Sequence, residues 1–366
     1  MKNSIIINIY GSYGNYGGFG GERWLCSGRS GGGSGRGGGH KNELISFARG
    51  IAIASIVMMH LIQKNLTILP GFFKKAATIG GTGVHIFFFC SGFGLYLSFL
   101  NNPQTFCSFI RKKFLKIYMP YILVVAVTAF IPFAYDGNRM QAFLSHAFLY
   151  KMFSPEYEIS LGYQMWYIST LFQFYFIFIG LCRIKSKMKP NNFALGALCI
   201  SFFWWVGTYI LGVSDTRIWG SFCLQYLWEF ALGMNIAQFL NLGNKISINI
   251  QTLEITTFVG LGIGTVLALY GNVLAAFNDI FVFMGFGSLI ILIWIYLPYN
   301  YKKVVNWISE ISYELFLVHT LVFTVVFHLF PMNSYPQLLI GIIAVGFSLV
   351  IASLYHRLWH CIRVDK

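Results

Sequence analysis

Residues 338–354 read LLIGIIAVGFSLVIASL, a run without a single charged side chain. A second run, residues 193–211, reads FALGALCISFFWWVGTYIL and is equally apolar. Strands of a membrane β-barrel would alternate between apolar and polar side chains, whereas these runs are apolar on every side. Each approaches the length of about 20 residues that a helix needs to cross a hydrocarbon core of roughly 30 Å. The two runs therefore predict transmembrane helices.

The composition of the whole chain supports a membrane protein. A length of 366 residues would allow two or three soluble domains. However, only 10% of the residues are charged, against about 25% in ordinary soluble proteins. The hydrophobic fraction is 56% and includes 37 Phe, which is more apolar surface than one soluble core can cover. A soluble protein is therefore excluded.

Ten apolar stretches divide the chain at a spacing typical of a polytopic membrane protein. We predict an all-α integral membrane bundle of about ten transmembrane helices. The predicted spans are 44–63, 79–100, 117–134, 163–182, 193–213, 218–240, 253–271, 277–297, 310–330 and 337–359.

The distribution of basic residues gives the predicted orientation. The chain has a formal net charge of +14 and 26 Lys and Arg. With the N-terminus in the cytoplasm, 19 of these fall in inner segments and six in outer segments, while Arg49 lies within the first span. Basic residues collect on the cytoplasmic side of membrane proteins. We therefore expect both termini in the cytoplasm and a multi-pass protein of the inner or plasma membrane.

The N-terminal segment differs from the rest of the chain. Residues 1–42 are rich in Gly and contain a run of Ser, Gly and Arg, so they bury too little apolar surface to offset the loss of backbone entropy. We predict a disordered cytoplasmic tail at 1–42 and a transmembrane domain at 43–366. The Arg-Gly pattern would also suit a scaffold that touches RNA or anionic lipid, but a solvated tail is the simpler interpretation, and we expect no nucleic acid partner.

Cysteine and histidine spacing predicts no metal centre. The seven Cys form no Cys-x-x-Cys pair, and the sequence has no His at metal-ligand spacing. Neither a disulfide framework nor a zinc site is predicted.

Ionisable residues inside the spans are the first candidates for function, because each costs roughly 2.5–3.5 kcal/mol to insert. The first span carries Arg49 and His60. A separation of eleven residues puts them about 20° apart around a helix and about 16.5 Å apart along it, so both should line one wall. Alternatively, Arg49 extends to the lipid headgroups and His60 bonds a neighbouring helix. The ninth span adds a second intramembrane histidine, His319.

Four sequence blocks, taken together, resemble the acyltransferase-3 family of membrane O-acyltransferases. They are Arg49 and His60 with ten residues between them, FFFCSGF at 87–93, the basic run before Pro120, and SYELFLVH at 312–319. The segment Trp166-Tyr167-Ile168-Ser169 also resembles a family motif, although aromatic residues at that depth often anchor in the membrane interface. The resemblance covers about residues 43–360. It departs from the family at three positions, where His85 replaces a frequent acidic residue and Lys113 and Lys116 replace an Arg pair.

The resemblance implies an O-acetyltransferase that uses acetyl-CoA, or another acyl-CoA, as donor co-substrate and binds no other cofactor. The acceptor would be a hydroxyl of a cell-surface or exported polysaccharide. His60 would be the general base or a transient acyl carrier, with Arg49 and His319 as further catalytic residues. The residues expected to bind substrate are Ser91, Arg111, Lys113, Lys116, Trp166, Tyr167 and Tyr313. A transporter that moves a glycan through the same polar cavity is the alternative.

Overall fold

The computed structural model describes residues 4–7, 43–214, 216–269, 277–331 and 336–364. Most of these residues are helical, which confirms the all-α prediction. The helices are α1 (Glu43–His60), α2 (Gly71–Ala76), α3 (Gly83–Asn101), α4 (Phe106–Lys113), α5 (Met119–Phe130), α6 (Arg139–Ala147), α7 (Trp166–Lys187), α8 (Pro190–Ile210), α9 (Arg217–Gly220), α10 (Leu227–Asn241), α11 (Ile250–Leu269), α12 (Asn278–Tyr296), α13 (Tyr299–Glu310), α14 (Ser312–Leu329) and α15 (Gln337–Val364).

Nine helical stretches among the described residues are long and apolar enough to cross a membrane. They correspond to nine of the ten predicted spans. Of these stretches, α7 is the most deeply buried inside the bundle and α11 the least, so α7 lies at the centre and α11 at the periphery. The nine stretches are Glu43–Gln63, Gly71–Asn101, Phe106–Phe130, Tyr163–Lys187, Pro190–Ile210, Ile250–Ala268, Asn278–Tyr296, Ser312–Leu329 and Gln337–Ile362.

The predicted span at 218–240 is built differently from the other nine. It begins with the short helix α9, continues through a 3₁₀ turn at Cys223–Tyr226 and ends as α10, which has 15 residues. At 1.5 Å per residue α10 is only about 22 Å long, and the four-residue 3₁₀ turn adds about 8 Å. Together they reach roughly the 30 Å of a hydrocarbon core, so this span is a composite of two helix types.

The relative direction of α1 and α14 indicates that the span ending in α10 crosses the membrane. Arg49, early in α1, contacts Ser312, early in α14, and His60, at the end of α1, contacts His319 farther along α14. Contacts in the same order along both helices mean that the two helices run parallel. Parallel helices have an odd number of crossings between them. Six of the nine stretches lie between α1 and α14, so α10 must cross as well to make seven. We name the end of the bundle where α1 begins the inner end, and the opposite end the outer end.

A short strand differs from the predicted disordered tail. Ser4–Ile7 pairs antiparallel with Ile246–Asn249, the segment that connects α10 to α11. The prediction of disorder was therefore wrong for these four residues, whose Ile-rich sequence suits a strand. The remainder of the predicted tail lies outside the described residues.

Helices α3 and α10 pack backbone to backbone through glycine. A β-carbon at Gly92 would overlap the backbone carbonyl of Phe230, and one at Gly233 would overlap the carbonyl of Phe89. Small residues of this kind allow two helix backbones to approach closely, and here the two helices are α3 and α10. This contact fixes α10 against the central helices.

Two π-helical turns interrupt the α-helical geometry at the ends of the bundle. Leu61–Asn65 follows His60 directly, and Phe114–Tyr118 contains Lys116 and continues into α5. A π turn inserts one extra residue and turns the following side chains relative to a regular helix, and such turns are frequent at functional sites. The two turns lie beside the residues that the sequence singles out.

Candidate active site

Two imidazole rings form the centre of the candidate site. His60 on α1 and His319 on α14 are both buried, their rings are stacked with centroids 5.1 Å apart, and His60 Nδ1 lies 2.8 Å from His319 Nε2. His319 Nδ1 lies 2.9 Å from the Leu315 carbonyl oxygen. The predicted alternative for His60, a hydrogen bond to a neighbouring helix, is therefore present, and the partner is a second histidine.

When both rings are neutral, these contacts fix which nitrogen of each ring carries the proton. A carbonyl oxygen only accepts hydrogen bonds, so His319 Nδ1 is the donor to Leu315 and His319 Nε2 is an acceptor. The hydrogen bond from His60 Nδ1 to His319 Nε2 then requires the proton of His60 on Nδ1. His60 Nε2 is therefore the unprotonated nitrogen, which is the form that a general base needs.

Arg49 lies against the same helix as His60. Its guanidinium donates to Ser312 Oγ at 2.9 Å and approaches the Ser309 carbonyl oxygen at 3.5 Å. Arg49 thus faces the start of α14 inside the bundle instead of extending to the headgroups, as the alternative interpretation had it. The structure brings both residues of α1 to one wall, as the helical spacing predicts.

Tyr167 and Ser91 lie between the two ends of this wall. Their hydroxyl oxygens are 3.5 Å apart, and the Tyr167 ring packs edge-on against Phe316, with centroids 5.2 Å apart. Phe316 in turn lies 6.2 Å from the ring of His319. The Phe316 ring therefore separates Tyr167 from His319, and Ser91 is connected to the histidine pair only through Tyr167.

Trp166 faces away from this wall. Its ring packs on Tyr226 and lies 5.1 Å from the guanidinium carbon of Arg217. Both Trp166 and Tyr167 are buried, which contradicts the alternative that they anchor at the membrane interface. Trp166 supports the packing of α7 against α3 through the ring of Phe88.

A cavity of about 130 Å³ lies next to His60 at the outer end. Three threonines contribute polar groups to its wall, and the loop before α7 closes one side. The lining residues are His60, Thr128, Ala134, Ile159, Leu161, Gly162, Tyr163, Met165, Leu317, Thr320, Leu321, Phe323 and Thr324. The cavity is large enough for a few small polar groups and presents hydroxyl groups together with an imidazole.

The loop that closes this cavity is held by two buried residues that sequence reasoning did not single out. The Ser160 carbonyl oxygen accepts from Lys151 Nζ and from His146 Nε2, each at 3.0 Å, and Lys151 Nζ also donates to the Gly162 carbonyl oxygen at 3.1 Å. Leu161 has a positive φ of 45°, a conformation that costs a non-glycine residue about 1–3 kcal/mol. These hydrogen bonds hold the strained backbone in place.

His146 is neutral in the folded protein. Its Nε2 donates to the Ser160 carbonyl oxygen, and its Nδ1 accepts from the Tyr121 hydroxyl at 2.8 Å. Burial and then the nearby Lys151 ammonium lower the pKa of His146 well below its usual value. No sequence signal marks this residue, because its burial depends on packing between α5 and α6.

A second, larger cavity of about 770 Å³ lies at the inner end. Lys113 and Lys116, two predicted substrate-binding residues, line it together with Lys112, whereas Arg111 is exposed on α4 and is not part of its wall. We call this cavity the basic groove. Its lining residues are Leu95, Ser98, Phe99, Gln104, Phe109, Lys112, Lys113, Leu115, Lys116, Met119, Leu123, Phe178, Trp359 and Ile362.

Tyr313 connects the start of α14 to the wall of the basic groove. Its hydroxyl donates to the Ile117 carbonyl oxygen at 2.5 Å, inside the π turn that carries Lys116. Tyr313 lines neither of these two cavities. Its observed contact positions the basic turn, so the predicted direct role in substrate binding has no contact that supports it.

The family profile of an acyltransferase domain matches residues 42–357. The chain belongs to the acyltransferase-3 family. Membership confirms the resemblance drawn from the four sequence blocks and makes the protein a membrane acyltransferase in general terms. Neither a curated protein nor a solved structure shows a significant match to this acyltransferase-3 chain.

Proposed function

We propose that this acyltransferase-3 protein transfers an acetyl group from cytoplasmic acetyl-CoA to a hydroxyl of an exported or cell-surface carbohydrate. The observation that carries the proposal is the hydrogen-bonded pair of His60 and His319 beside the threonine-lined outer cavity. An unprotonated imidazole nitrogen next to a polar cavity is suited to take the proton of an acceptor hydroxyl.

The basic groove is the proposed site for the phosphates of the donor. It has about 770 Å³ of space and three lysines in its wall, and ammonium groups bind phosphate as point charges. Arg49 lies near the start of α1, about 16.5 Å from His60 along the helix axis. In this proposal the pantetheine arm passes Arg49 on its way to His60, so that the thioester reaches the histidine pair.

The proposed step is an acyl transfer with His60 as general base. The acceptor oxygen attacks the thioester carbonyl carbon while His60 Nε2 takes the hydroxyl proton. The carbon–sulfur bond then breaks, and the same proton passes from His60 to the departing sulfur, which leaves an ester and the CoA thiol. His319 Nε2 accepts the hydrogen bond from His60 Nδ1–H, which keeps that proton on Nδ1 and leaves Nε2 of His60 unprotonated. In the alternative with a covalent intermediate, Nε2 itself carries the acetyl group between donor and acceptor.

Replacement of the proposed base tests the reaction. Full-length protein purified in detergent is incubated with acetyl-CoA labelled in the acetyl group and a panel of glycans, and label in the glycan is counted. We expect His60→Ala to lower transfer at least 100-fold, while His360→Ala, which removes an exposed histidine of α15, leaves transfer unchanged. Transfer at the normal rate by His60→Ala, or no transfer by the unmodified protein despite acetyl-CoA binding, would refute the proposal.

The donor site is tested separately through the basic groove. Each charged hydrogen bond contributes roughly 1.5–3 kcal/mol, so replacing Lys113 and Lys116 with Gln should raise the KM for acetyl-CoA at least tenfold and change kcat much less. Lys187→Gln, an exposed lysine at the same end of the bundle, serves as the matched control. An unchanged KM in the double variant would place the phosphates of the donor elsewhere.

A further inference from the structure

A second group of polar side chains lies at the outer end and takes no part in the proposed reaction. His85 on α3, Glu229 on α10 and Asp279 on α12 come from three helices that are far apart in sequence. One ligand atom from each lies within 4.8 Å of the other two. Imidazole nitrogen and carboxylate oxygen are ligands that divalent transition metals accept.

The contacts of His85 follow a pattern common at metal sites. Its Nδ1 lies 2.6 Å from Glu229 Oε1, and its Nε2 lies 3.7 Å from Asp279 Oδ1. Histidines that bind a metal through one nitrogen usually donate the other N–H to a carboxylate, which fixes the ring. An ion at about 2.1 Å from both Nε2 and Oδ1 would span a gap of this size at an angle of roughly 120°.

The carboxylate of Asp279 is oriented in the same way. Gln225 Nε2 donates to its other oxygen, Oδ2, at 2.6 Å, so Oδ1 faces His85. A neighbouring amide that fixes one oxygen of a carboxylate leaves the second oxygen available in a defined position. Both neighbours of the gap are thus held by hydrogen bonds from outside it.

The charge of this group is not balanced by protein side chains. Within the described residues, neither Glu229 nor Asp279 has a Lys or Arg at ion-pair distance, and His85 is the cationic partner available to both. Glu229 is fully buried, and its Oε2 has no hydrogen-bond partner among those residues. When both carboxylates are ionised, the group carries excess negative charge whether or not His85 is protonated. At membrane depth such charge is costly unless a cation neutralises it.

We propose that His85, Glu229 and Asp279 bind one divalent cation of the zinc class. His85 Nε2 and Asp279 Oδ1 are the direct ligands, and Glu229 orients His85 through Oε1 and offers Oε2 as a further ligand. The side chains of His85 and Asp279 are each 13% exposed, whereas Glu229 is closed off, so an ion can enter from one side. The sequence predicts no metal, because residues 85, 229 and 279 have no ligand spacing that could reveal the site.

Metal content of the intact protein tests this proposal independently of acyl transfer. Full-length protein is purified in detergent without chelator from cells grown with added zinc, and bound metals are measured by inductively coupled plasma mass spectrometry. We expect about one zinc per chain, and a thermal unfolding temperature that falls after treatment with a strong chelator and recovers when Zn²⁺ is added. Both measurements use the unmodified protein, so neither depends on whether a variant folds.

Two variants locate the ion. Asp279→Asn keeps the shape of the side chain and an oxygen that accepts from Gln225, and His85→Ala removes the imidazole; each should lower the zinc content at least tenfold. His356→Ala is the matched control, because His356 also pairs with a carboxylate, that of Glu314 at 3.2 Å, but lies outside the group. Less than one tenth of a metal ion per unmodified chain, or full zinc content in both Asp279→Asn and His85→Ala, would overturn the proposal.

Discussion

His319 determines which nitrogen of His60 carries a proton. Its own Nδ1 donates to the Leu315 carbonyl oxygen, an acceptor within the same helix, and its Nε2 then accepts from His60. A carbonyl oxygen at a fixed helical position thus sets the protonation of a residue on another helix. This arrangement resembles the orienting acid of a catalytic triad, with imidazole in place of carboxylate.

Replacing His319 should therefore lower the catalytic rate more than substrate binding. We expect His319→Ala to reduce kcat about 100-fold or more and to change the KM for acetyl-CoA less than threefold, because His60 loses its orientation while the basic groove stays intact. Steady-state kinetics with labelled acetyl-CoA measures both constants. An unchanged kcat would show that His60 does not depend on His319.

His146 gives the protein a stability that depends on pH. Its folded-state pKa is lowered by burial and by Lys151, so below pH about 6.5 the unfolded chain binds a proton that the folded chain does not. The free energy of unfolding should then decrease as the pH falls below 6.5, by up to about 1.4 kcal/mol per pH unit from this residue. Stability from this source is fully present above that pH.

The measurement compares unfolding temperatures of the purified protein at pH 7.5 and pH 5.5. We expect His146→Gln to be less stable than the unmodified protein at pH 7.5, and the difference between the two to shrink at pH 5.5, because glutamine does not titrate. A constant difference across this range would mean that His146 binds its proton equally well in the folded and unfolded chain.

At the level of helices, α3 and α10 depend on contact between their backbones. Gly92 leaves no room for a β-carbon beside the Phe230 carbonyl, whereas a β-carbon at Gly94, two residues farther along the same helix, would meet nothing within 4 Å. The two glycines therefore differ in packing but share one helix. Comparing alanine substitutions at Gly92 and Gly94 therefore distinguishes the effect of packing on stability from the effect of helix propensity.

Gly92→Ala should destabilise the protein, while Gly94→Ala should be neutral or slightly stabilising. Forcing extra volume into a close contact costs about 1–3 kcal/mol, and alanine favours a helix by roughly 1 kcal/mol over glycine. Thermal unfolding in detergent measures both variants. Equal unfolding temperatures for the two variants would contradict the close contact.

Features that depend on a single helix were predicted from the sequence more successfully than contacts between several helices. Arg49 and His60 share a helix, so the period of 3.6 residues is enough to place them on one wall. The groups around His146 and around His85 are assembled from distant segments, and a single sequence carries no record of which helices become neighbours. The 3₁₀ start of α10 was also missed, because a four-residue turn does not change the apolar pattern of residues 218–240.

On the scale of the whole molecule, the parallel directions of α1 and α14 require the composite span ending in α10 to cross the membrane. The segment between α8 and α9 and the segment after α10 then lie on opposite sides. Thr216 and Asn244 are exposed in these two segments. Combined with the predicted cytoplasmic termini, this puts Thr216 outside the cell and Asn244 inside.

Cysteine labelling in intact cells tests this arrangement. In a background where the seven native Cys are replaced, Thr216→Cys should react with a maleimide that cannot cross membranes, and Asn244→Cys should react only after the cells are permeabilised. Labelling of both positions from outside would mean that α10 does not cross. Labelling of Asn244→Cys alone would reverse the predicted orientation of the whole bundle.

The pairing of Ser4 with Asn249 has a practical consequence for probes attached to this protein. Three residues span at most about 10 Å, so a fluorophore fused directly before Met1 stays close to the connection between α10 and α11. Energy transfer from that fluorophore to a dye at Asn244 should be efficient while the strands are paired and should fall when they separate. The efficiency of energy transfer between the two dyes would thus report whether the strands separate during acyl transfer or unfolding.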